Sequence, residues 1–252
     1  MDNLIDLYRE ELIKKKEQIL FANRNNRRKP AMSIRLGISN DKSKLDLNVV
    51  QNLNPKNVDK NQIKVLHVND RIIEYKESLK NNICYVSDKI NPIIIENNGR
   101  RETFLDDFGI DVHYTENNKE SFIHKGVNEL MDIKSVISAY DIKDDDIIIK
   151  LTGRYKLMDD SFLTTVIENV ESYDVFIKFF NVLTEEFVEN DCILGLFAMR
   201  CKYLKDFEYD PKVEVPETQF AEYVRKSECR IYEMERLGLL CKFSDTNKII
   251  EV

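Results

Sequence analysis

The sequence predicts an α/β domain built on a mostly parallel sheet, and three features carry that prediction. Short runs rich in β-branched residues recur at 63–68, 92–96, 110–114, 147–151, 175–180 and 192–199. Stretches with helical periodicity lie between them, at 71–84, 101–108, 127–140 and 162–170. Strands of four to eight residues alternating with helices are the pattern of βαβ units. Ile93-Ile94-Ile95 and Ile147-Ile148-Ile149 are continuous rather than alternating, as strands covered on both faces are.

Taken in order, residues 3–22 place Leu4, Tyr8, Leu12, Ile19 and Leu20 on one side of an amphipathic helix. The basic run Arg24 to Pro30 ends it, and reads better as a solvated loop than as a phosphate contact. A strand at 33–38 is followed by a polar stretch without clear periodicity, and the regular pattern starts at Ile63. Near the end of the chain Pro216 sits where the first turn of a helix tolerates it, with Glu217 beside it. Phe220, Val224, Ile231 and Met234 extend that helix to about 240. At 252 residues one core with an appendage is expected: an extension over 1–62, packed on or beside a main domain over 63–252.

Composition excludes several classes. A net charge of −7 gives no basic face for nucleic acid, although a local basic cluster can still hold a small anion. No run approaches the ~20 apolar residues of a membrane span. Five scattered cysteines without a Cys-x-x-Cys pair read as reduced thiols, so a cytoplasmic setting is expected.

Ligands of open α/β sheets gather beyond the carboxyl ends of the strands. Four such places stand out. Lys150-Leu151-Thr152-Gly153-Arg154-Tyr155 offers a glycine for close backbone approach, a hydroxyl and two fixed cations, a set suited to a diphosphate. Glu96-Asn97-Asn98-Gly99 can meet a base or ribose, or be a plain Asn-Gly turn. His124-Lys125-Gly126 opens a helix whose N–H groups and lysine suit an anion. Glu217 begins the last long helix, whose dipole would keep it ionised as a general base; a helix-start glutamate without catalytic duty is the commoner case. Asp144-Asp145-Asp146 precedes its strand and reads as a polar turn. Asp159 and Asp160 sit where a helix cap or a metal ligand would. His67, His113 and His124 lack the spacing of a zinc site. No Walker-type or GxGxxG loop and no nucleophile triad appears.

The succession Ile93-Ile94-Ile95-Glu96-Asn97, His124-Lys125-Gly126-Val127-Asn128-Glu129 and Lys150-Leu151-Thr152-Gly153-Arg154-Tyr155 resembles small GT-A-fold glycosyltransferases. The later segments from Asp191 to Arg200 and from Pro216 to Ala221 add to the likeness, which spans roughly 63–245. Such proteins occur in bacterial surface-polysaccharide clusters and in large DNA viruses. The resemblance implies a GT-A-like domain that transfers a sugar, as a hexosyltransferase would, from a nucleotide-sugar donor to a glycan or glycoprotein acceptor. Glu96 and Asn97 would lie near the nucleoside, and Lys125 and Gly126 near the nucleotide sugar. Thr152, Gly153, Arg154 and Tyr155 would lie by the diphosphate, with Glu217 where inverting members keep their base.

One departure stands out. GT-A enzymes usually hold a divalent metal with Asp-x-Asp, whereas the strand end here reads Thr152-Gly153-Arg154. Either Arg154 and Lys150 supply the charge, the route favoured, or Asp159 helps bind Mn²⁺ or Mg²⁺. A sugar nucleotidyltransferase would show a glycine-rich loop after its first strand, and Val68-Asn69-Asp70-Arg71 has none. A non-catalytic binding module is the other alternative. The N-terminal helix is a candidate homodimer contact, and a viral source would place the chain in host cytoplasm.

Overall fold

The computed structural model describes residues 31–36, 60–119, 125–210, 215–243 and 248–252. The amphipathic helix expected over 3–22, the basic turn at 24–30 and His124 lie outside them. Ten strands and five α-helices are described. β1 is Ala31–Leu36; α1, Lys60–Tyr85; β2, Asn91–Glu96; β3, Asp111–Tyr114. Next come α2, Lys125–Ala139; β4, Ile147–Thr152; β5, Lys156–Leu157; α3, Ser161–Asn169; and β6, Val175–Ile177. β7 is Leu196–Arg200; α4, Cys201–Asp206; α5, Pro216–Lys226; β8, Ile231–Glu233. β9, Leu239–Lys242, and β10, Ile249–Glu251, complete the series.

Seven strands form one sheet in the order β3-β2-β1-β4-β7-β6-β8. β7 runs antiparallel to β4 and β6, and the remaining pairings are parallel. β5, β9 and β10 make a small antiparallel sheet. The architecture is the mostly parallel α/β sheet flanked by helices that the sequence led us to expect.

The strands alternate their side chains between two cores. Ile94, Ile147, Ile149 and Leu151 face α1 and α3, where Leu79, Ile83, Phe162 and Val166 meet them. Ile93, Ile95 and Ile148 face α2, α4 and α5, against Leu130, Ile133, Leu204 and Phe220. Each core side chain of this size contributes roughly 1.5–3 kcal/mol on burial. The continuous isoleucine runs therefore report a sheet clad on both faces.

Four expectations change. Residues 63–68 are helical, not a strand: no Gly or Pro interrupts 60–85, so the β-branched run is absorbed into α1. The boundary at 62 falls inside α1, and β1 from the expected appendage is an interior strand of the sheet, paired to both β2 and β4. Residues 101–108 give only a 3₁₀ turn at Asp106–Phe108, stopped by Gly109 at φ 65°. The last helix ends at Lys226, because Ile231–Glu233 pairs with β6 instead.

The far edge is stapled at Asp174, just before β6. Its carboxylate accepts hydrogen bonds from Arg200 Nε at 2.7 Å and from Arg230 N and Nε at 3.0 Å each. Burial alone would raise its pKa, but the bonds from Arg230 and Arg200 outweigh that and hold the group well below the carboxylate range. Asp144 and Asp146 lie in a polar turn, as expected: Asp144 pairs with Lys205 at 2.6 Å and Asp146 accepts from Lys143 N at 2.8 Å. Asp174→Ala is expected to cost about 1.5–3 kcal/mol in urea denaturation at neutral pH, since it removes the carboxylate that accepts from the largely buried Arg200 guanidinium. Because the folded pKa is depressed, that contribution is present above the ordinary aspartate value and fades as pH falls through it. The wild-type advantage over the variant should therefore shrink in strong acid.

Candidate active site at the carboxyl edge of the sheet

The chain leaves β1 towards β2 and β3 on one side, then returns through α2 to β4 on the other. The carboxyl ends of β1 and β4 thus form a topological switch point, where an open α/β sheet leaves a crevice. In register, Arg35 of β1 stands beside Thr152 and Leu36 beside Glu96. Two of the four places singled out in the sequence therefore flank the end of β1.

Strand parity sends Lys150 to the same face as Ile148, toward α2. The side chain is about 4% exposed and its ammonium has three partners. Glu129 Oε2 lies at 2.9 Å, Thr152 Oγ1 at 2.8 Å, and the Leu194 carbonyl completes the set. Lys150 is thus bound into the protein rather than presented to the crevice, unlike its expected place beside a diphosphate. Beneath it lies a cavity of about 20 Å³, lined by Gly126, Glu129, Leu194, Phe197 and Tyr209 among others, enough for one water.

Arg154 differs. It follows β4 in a turn closed by the Tyr155 N–H on the Thr152 carbonyl at 3.0 Å, and it is half-buried. Its guanidinium makes no hydrogen bond or ion pair among the described residues. Thr152 N donates to the Gly195 carbonyl at 2.8 Å, and the Tyr155 ring lies so close to Gly195 that an added Cβ would fall 2.3 Å from it.

α2 and α5 both start at this edge. A Cβ on Gly126 would sit 2.8 Å from Pro216 Cβ, so the glycine is what lets the two first turns touch. Glu217 follows Pro216. Burial raises its pKa, Asp191 and Glu129 push the same way, and its own backbone N–H and Lys150 oppose them. The helix start does not hold it at an ordinary or depressed value, as the sequence reading expected; burial wins. The Cys192 thiol donates to the Glu217 carbonyl at 3.3 Å, tying the β6–β7 connection to α5. Lys125 begins α2, and its side chain lies outside the described residues.

Glu96 and Asn97 close β2, and both are fully buried. Glu96 Oε1 accepts from Asn98 N at 2.9 Å and Asn98 Nδ2 at 2.6 Å, while Oε2 has no hydrogen-bond partner among the described residues; burial raises the pKa of the carboxyl. Asn97 Nδ2 donates to Asp132, which also accepts from Thr115 Oγ1 at 2.6 Å and Asn117 Nδ2 at 2.8 Å. This knot joins the ends of β2 and β3 to α2, and the sequence reading missed it. Asp132 is charged on an otherwise apolar stripe with Ile133, Val136 and Ile137, which was the available signal.

Asp159 accepts 3.0 Å from Ser161 N and also from the Ser161 hydroxyl, and lies 3.6 Å from Arg236. It fixes the start of α3 and faces Gly238 on the small sheet. Its oxygens are taken by donors rather than gathered with other ligands, and no group of three or more His, Cys, Asp or Glu able to hold a metal occurs among the described residues. Asp159 is thus engaged at the start of α3, the cap-like place that the sequence offered beside that of a metal ligand. No described helix is long and apolar enough to cross a membrane.

No protein-family model and no curated protein matches the chain. Solved structures are similar to it in fold. One, named as a nucleotide-diphospho-sugar transferase from Desulfovibrio desulfuricans G20, is 8% identical with a TM-score of 0.47, over 82% of this chain and 80% of that one. A197 from STIV is 16% identical with a TM-score of 0.37, over 63% and 91%. The 4-diphosphocytidyl-2C-methyl-D-erythritol synthase from Anaerococcus prevotii DSM 20548 is 12% identical with a TM-score of 0.40, over 89% and 91%. These likenesses concern the fold.

The Lys150 group gives a direct stability test. Lys150→Met should cost about 3–5 kcal/mol by leaving Glu129 without its cation. Adding Glu129→Gln should return a large part of it, read from the non-additivity of urea midpoints.

Proposed function

We propose that the chain is a nucleotide-sugar-dependent glycosyltransferase acting on a glycan or glycoprotein hydroxyl. The observation that carries this reading is the half-buried Arg154 guanidinium, unpaired among the described residues, at the switch point between β1 and β4. A cation left without a protein partner in a crevice is suited to a diphosphate, on which negative charge grows as the sugar departs. The nucleoside would lie over the β2 end, with Glu96 and Asn97 holding that edge from below. Thr152, Gly153 and Tyr155 would frame the diphosphate, and Gly126 and Lys125 the sugar side. Lys150 would act through Glu129 and Thr152 rather than touch the donor.

The reaction is a single displacement at the anomeric carbon. Glu217 takes the acceptor proton, the acceptor oxygen bonds to that carbon, and the bond to the diphosphate oxygen breaks. A carboxyl raised by burial is a better base near neutrality than an ordinary one. Backside attack would invert the configuration.

The sequence argument against a nucleotidyltransferase rested on 63–68 being the first strand. The first described strand is β1, and the residues that follow it, 37–59, contain the single glycine Gly37. That still falls short of a glycine-rich phosphate loop, so the glycosyltransferase reading stands ahead.

A thermal-shift series with UDP-, GDP-, CMP- and dTDP-sugars, each with and without Mn²⁺, tests donor binding. One nucleotide family at 100 times its dissociation constant should stabilise the fold by about 2.7 kcal/mol, and Arg154→Ala should abolish the gain. With the donor known, Glu217→Gln should keep binding and lose at least ~10²-fold in turnover. In the wild type, kcat/KM should fall as pH drops through a value above the ordinary glutamate pKa of about 4.3. Unchanged turnover in Glu217→Gln would sink the assignment of the base.

A further inference from the structure

The turn that carries Arg154 is held by a helix from the other side of the sequence. Along α1, Ser78, Asn81, Asn82 and Tyr85 recur at positions i, i+3, i+4 and i+7, which lie on one face. Every one of them bonds main chain between Arg154 and Met158. The Ser78 hydroxyl donates to the Arg154 carbonyl at 3.1 Å. Asn82 grips two residues at once: its Nδ2 donates to the Tyr155 carbonyl at 2.8 Å, and its Oδ1 accepts from Leu157 N at 2.8 Å. Asn81 Nδ2 donates to the Leu157 carbonyl at 2.7 Å, and the Tyr85 hydroxyl to the Met158 carbonyl at 3.0 Å.

Ser78 and Asn82 are both fully buried, at 0% exposure. A buried amide without partners would cost roughly 1–3 kcal/mol, so both must be matched to a main chain of fixed shape. Leucine or alanine would fill these sites without that demand. Polar side chains are placed here where an apolar helix face would have been enough to bury α1, and their partners cluster on the segment around Arg154, whose guanidinium is unpaired among the described residues. From the opposite side the same turn is pinned by Thr152 on Gly195 and by the Tyr155 ring. The main chain on either side of Arg154 is therefore clamped, while its half-buried guanidinium makes no hydrogen bond or ion pair among the described residues.

We infer that Asn82 and Ser78 are positioning residues that preorganise Arg154 for an anionic diphosphate. This rests on the diphosphate reading of the site given above. A fixed turn removes the ordering cost that a mobile loop would incur on binding, so loss of the clamp should weaken binding through Arg154 and through no other group.

The experiment uses inorganic pyrophosphate, which carries the diphosphate without base or sugar. Its affinity is measured by calorimetry for the wild type, Asn82→Ala, Ser78→Ala, Arg154→Ala and the two doubles with Arg154→Ala, at a temperature where all are folded. Hydrogen exchange at Tyr155 and Leu157 is followed in the same proteins. Asn82→Ala and Ser78→Ala should each weaken pyrophosphate, Asn82→Ala by roughly tenfold, and neither should weaken it further once Arg154 is alanine. Exchange at Leu157 should quicken in Asn82→Ala. Ser78→Ala, which removes a single hydroxyl, keeps the test open if Asn82→Ala does not fold. Faster exchange with undiminished pyrophosphate affinity, or losses that simply add to that of Arg154→Ala, would make the clamp structural only and overturn the inference. Absence of pyrophosphate binding by the wild type, with exchange at Leu157 still sensitive to Asn82→Ala, would overturn the diphosphate reading itself and the positioning role with it.

Discussion

An ammonium group withdrawn from water at the end of a central strand has to be surrounded by acceptors, and Lys150 is. Its bonds to Glu129, Thr152 and the Leu194 carbonyl join β4 to α2 and to the connection that leads into β7. Those are the elements that form the carboxyl edge of the sheet. Removing one partner would leave a charge uncompensated in a poorly solvated place, which is why such groups are held in a single arrangement. The positions of Thr152, of Gly195 opposite it, and of the first turns of α2 and α5 follow from that arrangement. Gly126 then allows α5 to come close enough for Glu217 to share the electrostatic surroundings of Glu129 and Lys150.

The two cations at the end of β4 consequently have different duties. Lys150 points into the α2 core and spends its donors inside the protein. Arg154 lies beyond the strand end, where parity no longer directs it into either core, and keeps its guanidinium unpaired among the described residues. A lysine that is a point charge with three donors suits an internal hub. A planar guanidinium suits bidentate recognition of phosphate oxygens. The Asp132 knot at the ends of β2 and β3 does for the neighbouring loops what Lys150 does for β4, with neutral donors around one carboxylate.

Much of this was legible in the sequence. The isoleucine runs announce the two interior strands β2 and β4, and the cluster from Lys150 to Tyr155 falls at the switch point. Lys150 was read by its neighbours in sequence rather than by its parity in the strand, so it was assigned to the crevice. β1 was seen as a strand but assigned to the wrong unit, because nothing within six residues says that both edges are paired. Residues 63–68 are rich in β-branched residues like a strand, and only the unbroken passage to 85 marks them as helix. Ser78, Asn81, Asn82 and Tyr85 form a polar stripe on one face of α1 that the sequence reading did not single out. Its meaning depended on which segment crosses that face, and this is a long-range fact that local pattern does not carry.

On the proposed reading, the ends of β1 and β4 receive the diphosphate of a sugar nucleotide through Arg154. The most direct measurement is a ¹⁵N-resolved NMR titration of the labelled chain with nucleotide sugars, following the Arg154 side-chain N–H and the Thr152 and Gly153 amides. The account predicts saturable shifts at these three positions with one donor family, accompanied by smaller shifts at the end of β2. Shifts confined to the outer edge, around Gly99, His113 and Tyr114, with Arg154 unmoved, would contradict it.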